Sequence, residues 1–164
     1  MNGTITLEIL KKYNSQKAYY SDIQEPKKKI KDKRIEFILN TEKEIKTPEK
    51  VDLVTCFNVI HHLKDKKIID SLKKNIKKNG YLLIVDHDVK DKKTFHFLNL
   101  VHGLYEYVRG ETREWFNNYY ARYYSFDQLL NFFKEFEMVS KEDYIRGDKQ
   151  RRIIVLLKKR TNNF

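Results

Sequence analysis

The sequence predicts an α/β fold of three layers, in which helices cover both faces of a doubly wound, mainly parallel sheet. The decisive stretch is residues 51–88, which reads VDLVTCFNVIHHLKDKKIIDSLKKNIKKNGYLLIVDHD. Its two apolar, β-branched strands are separated by an amphipathic helix, which predicts a βαβ unit of a parallel sheet. Apolar stretches at 138–144 and 152–157 flank an Arg-Gly-Asp turn at 146–148 and predict a C-terminal antiparallel hairpin.

The elements before residue 51 follow from local patterns. Residues 4–13 carry apolar positions at helical spacing, although their alternation also permits a short strand. Residues 18–23 and 34–40 are aromatic or β-branched runs and predict two strands. The lysine-rich stretch behind Pro26 is compatible with a helix, and residues 41–50, which contain a proline, predict a loop.

The elements after residue 88 begin with a helix over 93–109, which has an apolar stripe on one face. Residues 111–124 are aromatic and polar without a clear period. Ser125 precedes Gln128 by three positions, which predicts a capped helix through residue 135. The predicted order is therefore helix, three strands, helix, strand, two helices and the hairpin.

Charge and length limit the function classes without naming a partner. The chain has 164 residues, enough for a single domain over 1–164 with a proper core. Its net charge of +11 comes from 34 basic and 23 acidic residues, and a basic surface attracts phosphate. The lysines are interspersed with acids in short runs, which favours solvated helix faces and loops over a dedicated nucleic-acid surface.

Cysteine use and the lack of targeting signals indicate a reducing compartment. The single cysteine, Cys56, permits neither a disulfide framework nor a thiolate zinc cluster. No apolar run is long enough to cross a membrane, and the first residues lack the order of a signal peptide. We therefore expect a soluble, intracellular protein without membrane contact.

Candidate site residues follow the two strands of the βαβ unit. Ligands bind at the carboxyl ends of parallel strands, here around His61 and His62 and around Asp86, His87 and Asp88. The histidine pair could bind a metal ion or act as a catalytic base. Because adjacent side chains are expected to point apart, a role in shaping the loop is favoured, and no metal site is predicted. A histidine between two acids is a candidate proton acceptor, and a plain strand-end turn is the alternative.

Three motifs resemble class I S-adenosylmethionine-dependent methyltransferases. VDLVTCFNVIHHL at 51–63 is similar to the fourth strand and following loop of that family, and NGYLLI at 79–84 resembles the turn into its fifth strand. The terminal hairpin resembles its antiparallel sixth and seventh strands. The resemblance implies a Rossmann-like sheet of seven strands, of which the first is missing here.

The resemblance also implies a site for S-adenosyl-L-methionine. Asp22 matches the acid that binds the ribose hydroxyls, and Asn40 with Thr41 falls where the family contacts adenine. Asn58 and His61 lie in the loop that faces the adenosine. Gly3 is similar to the last glycine of the family's Gly-x-Gly-x-Gly turn, so the chain is expected to begin inside that motif. The loss of a central strand would leave its neighbours with unpaired edges.

The implied activity is in-line methyl transfer to an unidentified acceptor, a small molecule or RNA, and proximity can suffice for such a step. The candidate catalytic residues are His87, Asp88 and His102, although core packing is an equal interpretation of His102. The alternative is a degenerate homologue that acts as a binding or stimulatory subunit, with weak nucleic-acid contact, and a partner chain could complete the fold. Aromatic residues before the hairpin could stack on bases: Trp115, Phe116, Tyr119, Tyr120, Tyr123 and Tyr124.

The composition and the helix around His102 point to a large DNA virus as source, and therefore to the host cytoplasm.

Overall fold

The computed structural model describes residues 4–26, 30–41, 43–63, 65–108, 110 and 123–161, and within them a helix is followed by three strands, a helix, a strand, two helices and two strands. The helices are α1 Thr4–Lys12, α2 Lys66–Lys74, α3 Lys92–Val108 and α4 Phe126–Asn131, and a 3₁₀ turn covers Ile60–His62. The strands are β1 Ala18–Asp22, β2 Ile35–Leu39, β3 Val51–Phe57, β4 Ile76–His87, β5 Phe136–Asp143 and β6 Arg152–Lys159.

The strands form two sheets. β1 pairs in parallel with β2, and the second sheet has the order β3-β4-β6-β5. β3 and β4 are parallel, whereas β6 runs antiparallel to both β4 and β5. The α/β class, the parallel βαβ unit and the C-terminal hairpin are therefore confirmed.

The larger sheet carries the core because its central strands are buried on alternate positions. Leu82 pairs with Leu157 and Ile84 pairs with Val155, and all four side chains are at most 1% exposed. Each contributes about 1.5–3 kcal/mol through burial. Helix α2 covers this sheet through Ile68, Ile69 and Leu72, and it begins at Asp65, whose carboxylate accepts a hydrogen bond from the Lys67 N–H.

Two helix expectations need correction. Behind Pro26, the described residues 30–34 form no helix, because the Asp32 carboxylate holds a local turn by accepting three hydrogen bonds from Arg34. The helix that begins after Ser125 ends at Asn131 and not at 135, and the chain then turns so that Phe133 packs edge-on against Phe136 in the core.

The Asn79-Gly80 pair also differs from expectation, since it lies inside β4 and not in a turn before it. Asn79 has a φ of 61°, and the register of the β3–β4 pair shifts between Val51 and Leu53. A Cβ on Gly80 would come within 3.0 Å of the Asp52 carbonyl oxygen and 2.9 Å of Ile76 Cγ2. Glycine is needed there because the backbones approach so closely.

None of the helices in the described ranges is long and apolar enough to cross a membrane.

Candidate functional site

The carboxyl ends of β1 and β2 bring the predicted adenosine-binding residues together. The Asn40 N–H donates to the Asp22 carbonyl oxygen at 2.9 Å, and Asp22 Oδ1 accepts from the Ile23 N–H at 2.8 Å. Asn40 Oδ1 accepts from the Lys46 N–H, whereas its buried Nδ2 has no partner among the described residues. Thr41 Oγ1 accepts hydrogen bonds within its own turn. One oriented carboxylate and one unpaired amide donor therefore lie at this end of the small sheet.

A buried histidine–carboxylate pair lies at the carboxyl ends of β3 and β4. His61 Nδ1 is 2.6 Å from Asp86 Oδ1, and the His61 N–H donates to Oδ2 at 3.3 Å. The two side chains are each 4% exposed. Burial alone would raise the pKa of Asp86, but the hydrogen bonds from the His61 side chain and the His87 N–H outweigh it, and this pKa lies below its ordinary value. Asp86 therefore stays ionised and orients the ring of His61.

Four histidine rings converge beside this pair. The ring centroids of His61 and His62 are 4.1 Å apart, so the expectation that these adjacent side chains point apart is not met. The tight 3₁₀ turn that carries both residues brings their rings together. His87 lies 5.2 Å from His61, and His102 of α3 lies 5.1 Å from His62.

Burial favours the neutral form of three of these rings, those of His62, His87 and His102. It lowers the pKa of His62 to about 3, helped by repulsion from His61 and His102. Burial also lowers the pKa of His87, against the effect of a hydrogen bond to the Gln150 carbonyl oxygen. The pKa of His102 is lowered by burial and then by the nearby histidines. A neutral imidazole has one nitrogen lone pair, which can accept a proton or bind a metal.

The structure distinguishes the three predicted catalytic residues. His87 Nδ1 donates to the Gln150 carbonyl oxygen at 2.7 Å, which leaves the lone pair on Nε2. His102 belongs to the histidine cluster, and its buried Nε2 has no partner among the described residues. Asp88, in contrast, accepts a hydrogen bond from the Phe126 N–H at 2.8 Å, which holds the start of α4, and its carboxylate also pairs with Lys90 and Lys141.

The other candidates lie at or outside the edge of the cluster. Asn58 directly follows β3 with a φ of 52°, and its N–H donates to the Val85 carbonyl oxygen. Tyr123 stacks on His61 with a centroid distance of 5.3 Å, and Tyr124 packs against Phe132. Outside the described residues lie Gly3 and four of the predicted base-stacking aromatics, Trp115, Phe116, Tyr119 and Tyr120.

Sequence reasoning placed Asp86 and His62 at the predicted ligand edge, but it predicted neither the pairing of Asp86 with His61 nor the contact of His62 with His102. The signal for Asp86 was its position as an acid near the end of a buried strand, but its contact with His61 spans 25 positions of the sequence. Such a pairing depends on the β3–β4 register, which the sequence pattern does not specify.

A cleft of about 750 Å³ separates the two sheets. One wall comes from α1 and β1, including Leu10, Tyr19 and Tyr20, and the other comes from β3, including Leu53 and Thr55. Leu53 is 38% exposed although it lies within a strand. The edge of β3 that does not pair with β4 therefore faces this cleft.

Comparison with known proteins agrees with this architecture. The family model described as "Methyltransferase domain" matches residues 2–140. The chain belongs to the methyltransferase domain family. No curated protein matches the chain by sequence.

Solved structures similar to this methyltransferase domain share its fold. A complex of the Haloferax volcanii Trm112 methyltransferase activator with a methyltransferase has a TM-score of 0.67 and 9% identity, covering 98% of this chain and 80% of that one. A Methanosarcina mazei SAM-dependent methyltransferase scores 0.64 at 15% identity, covering 96% and 88%. A Burkholderia thailandensis 1,6-didemethyltoxoflavin-N1-methyltransferase with bound S-adenosylhomocysteine scores 0.65 at 10% identity, covering 94% of this chain. The chain spans 66% of that last protein.

Proposed function

We propose that this chain binds S-adenosyl-L-methionine and takes part in methyl transfer to an acceptor that is not yet identified. The observation that carries the proposal is the pair of Asp22 and Asn40 at the carboxyl ends of β1 and β2. Family membership over residues 2–140 and the S-adenosylhomocysteine bound in the Burkholderia relative support it.

The residues at this edge fit the adenosine part of the cofactor. The Asp22 carboxylate would accept hydrogen bonds from two ribose hydroxyls, and its orientation is held by the Ile23 N–H. Asn40 Nδ2 is a buried donor that has no hydrogen-bond partner in the described part of the chain. An acceptor nitrogen of adenine would provide that partner. Thr41, Asn58 and His61 would form the remaining walls. The cofactor, when bound, supplies an electrophilic methyl group.

The histidine cluster would contact the acceptor. Nε2 of His87 has the lone pair, because Nδ1 donates to a backbone carbonyl oxygen, and this nitrogen would accept the proton that the acceptor loses. His102 lies in the same cluster, and the ring of Tyr123 closes it on one side. Asp88 would position α4 and not the reacting atoms.

Calorimetric titration with S-adenosyl-L-methionine and S-adenosylhomocysteine tests cofactor binding. Asp22→Ala should weaken binding by at least about tenfold, since it removes the acceptor for two hydroxyls. Asp143→Ala is the matched control, because Asp143 is an exposed aspartate at the end of β5, far along the other sheet. Equal affinities for the two variants would contradict the proposed role of Asp22.

A second candidate function, that of a subunit which acts together with a partner chain, is favoured by the cleft between the sheets. An apolar strand between β1 and β3 would join the two sheets and cover Leu53. A glycine-rich turn after that strand would supply backbone N–H groups for the methionine end of the cofactor. The Haloferax relative, which is in complex with an activator, is consistent with dependence on a partner.

A graft tests this dependence. An apolar strand ending in an acid and a Gly-x-Gly-x-Gly turn is fused before residue 4, and the control graft carries valine at the glycine positions. We expect the glycine graft to raise affinity for S-adenosyl-L-methionine by about tenfold or more, because it completes the site. Micromolar binding by the ungrafted chain, with no gain from the graft, would show that no partner is needed.

We propose a cytoplasmic location, which the single free, buried Cys56 supports. A viral source stays a proposal that rests on the composition and on the helix around His102.

A further inference from the structure

The histidine cluster has the composition of a metal site. Two groups of three side chains each bring their ligand atoms within 4.8 Å of one another: His61, His62 and His102, and His61, Asp86 and His87. The first group consists of three imidazoles from two elements, the 3₁₀ turn after β3 and helix α3. Three imidazoles are a common ligand set for zinc-type ions.

Two of these rings carry nitrogens without a partner. His62 Nδ1 and His102 Nε2 are buried and accept or donate no hydrogen bond among the described residues. Leaving a buried polar atom unpaired is costly, and two such atoms in contacting rings are uncommon in stable structures. Their ring centroids lie 5.1 Å apart, so one bound ion would satisfy both nitrogens.

Asp86 gives the third imidazole its orientation. Its carboxylate accepts the hydrogen on Nδ1 of His61 at 2.6 Å, which leaves Nε2 of that ring as the lone-pair nitrogen. A carboxylate behind a histidine ligand is the usual arrangement in zinc sites, where it fixes the ring and raises its basicity. The buried Asp86 carboxylate would also place a negative charge near the bound ion.

We propose that His61, His62 and His102 bind one zinc-type divalent ion, with Asp86 as the carboxylate that orients His61. In a tetrahedral site with Zn–N distances of about 2.0–2.1 Å, the ligand nitrogens lie about 3.4 Å apart. Because the ligand atoms already lie within 4.8 Å of one another, no separation would have to close by more than about 1.4 Å, which side-chain rotation can supply.

Three protein ligands leave the fourth position of the ion for water or an acceptor atom. His87 lies beside the three proposed ligands, and its ring centroid is 5.2 Å from that of His61. The ion would therefore sit next to the proposed proton acceptor. Metal binding does not depend on methyl transfer, so the two proposals fail separately.

Titration of the tag-free, EDTA-treated chain with zinc chloride and with cobalt chloride tests the site. We expect one ion per chain by calorimetry, and visible absorption bands typical of tetrahedral, nitrogen-ligated Co²⁺. His102→Gln should weaken zinc binding by about 100-fold or more, and Asp86→Asn should weaken it by about 10- to 100-fold.

His96→Gln is the matched control, because His96 is an exposed histidine on the same helix and belongs to neither group. It should keep the parent affinity within about twofold. If circular dichroism shows that His102→Gln is not folded, His62→Gln takes its place with the same expectation. The proposal is overturned if the parent chain binds no zinc, or if His96→Gln weakens binding as much as the cluster variants.

Discussion

Replacing Asp86 by alanine removes the acceptor of three hydrogen bonds in a buried position. The carboxylate accepts from His61 Nδ1 at 2.6 Å, from the His87 N–H at 2.8 Å and from the His61 N–H at 3.3 Å. Hydrogen bonds to a charged group contribute about 1.5–3 kcal/mol each, so their sum would exceed about 4 kcal/mol. The variant avoids the cost of burying the charge but leaves the buried His61 without its partner, and breaking a buried pair in this way costs about 3–5 kcal/mol.

Urea unfolding followed by circular dichroism, with EDTA present so that no metal contributes, measures this loss. With a slope of about 2 kcal/mol per molar urea, the midpoint should fall by about 1.5–2.5 M. Asp52→Ala is the matched control, since Asp52 pairs with Lys77 at 2.9 Å but its side chain is 84% exposed. That exposed pair should contribute less than about 1 kcal/mol. The reasoning is refuted if Asp86→Ala costs no more than Asp52→Ala.

Three further predictions concern the scaffold. Gly80→Ala should lower the free energy of unfolding by about 1–3 kcal/mol in a thermal melt, because the alanine Cβ would meet Ile76 and two backbone carbonyl oxygens. An unchanged melting temperature would show that the strand can shift. Ser125→Ala should cost about 1 kcal/mol, because Ser125 and Gln128 form a reciprocal capping box at α4, and a loss below a few tenths would contradict this. Burial raises the pKa of Cys56 to about 12. Iodoacetamide at pH 8 should therefore label the native thiol about 10³-fold more slowly than the urea-unfolded thiol. Equal labelling rates would show that the β3 edge opens freely.

Much of the fold was predictable because its signals are local. The strands of residues 51–88 are apolar runs on either side of a helix-period segment, and burial on both faces of a parallel sheet requires that composition. The cap at Ser125 and the terminal hairpin also follow from residues close together in sequence. The described residues 30–34 form no helix because one side chain, Asp32, makes hydrogen bonds that compete with helix formation.

For the candidate site, the sequence predicted the position in the fold but not the contacts between its side chains. Strand-end residues such as Asp22 and His87 lie where ligands bind in parallel sheets, and the structure places them there. The separation of adjacent histidine rings was assumed from strand or loop geometry, whereas a 3₁₀ turn holds His61 and His62 with their rings 4.1 Å apart.

The sequence by itself determined the fold class, the family and the sheet edge that carries the candidate site residues, because these depend on periodicity and on short motifs. Only the tertiary structure decided that the strands form two sheets with a cleft between them, and that His102 meets His62 across 40 positions of the chain. Such contacts depend on how α3 packs against the 3₁₀ turn that follows β3. That packing is a property of distant segments meeting in space, and no local pattern records it.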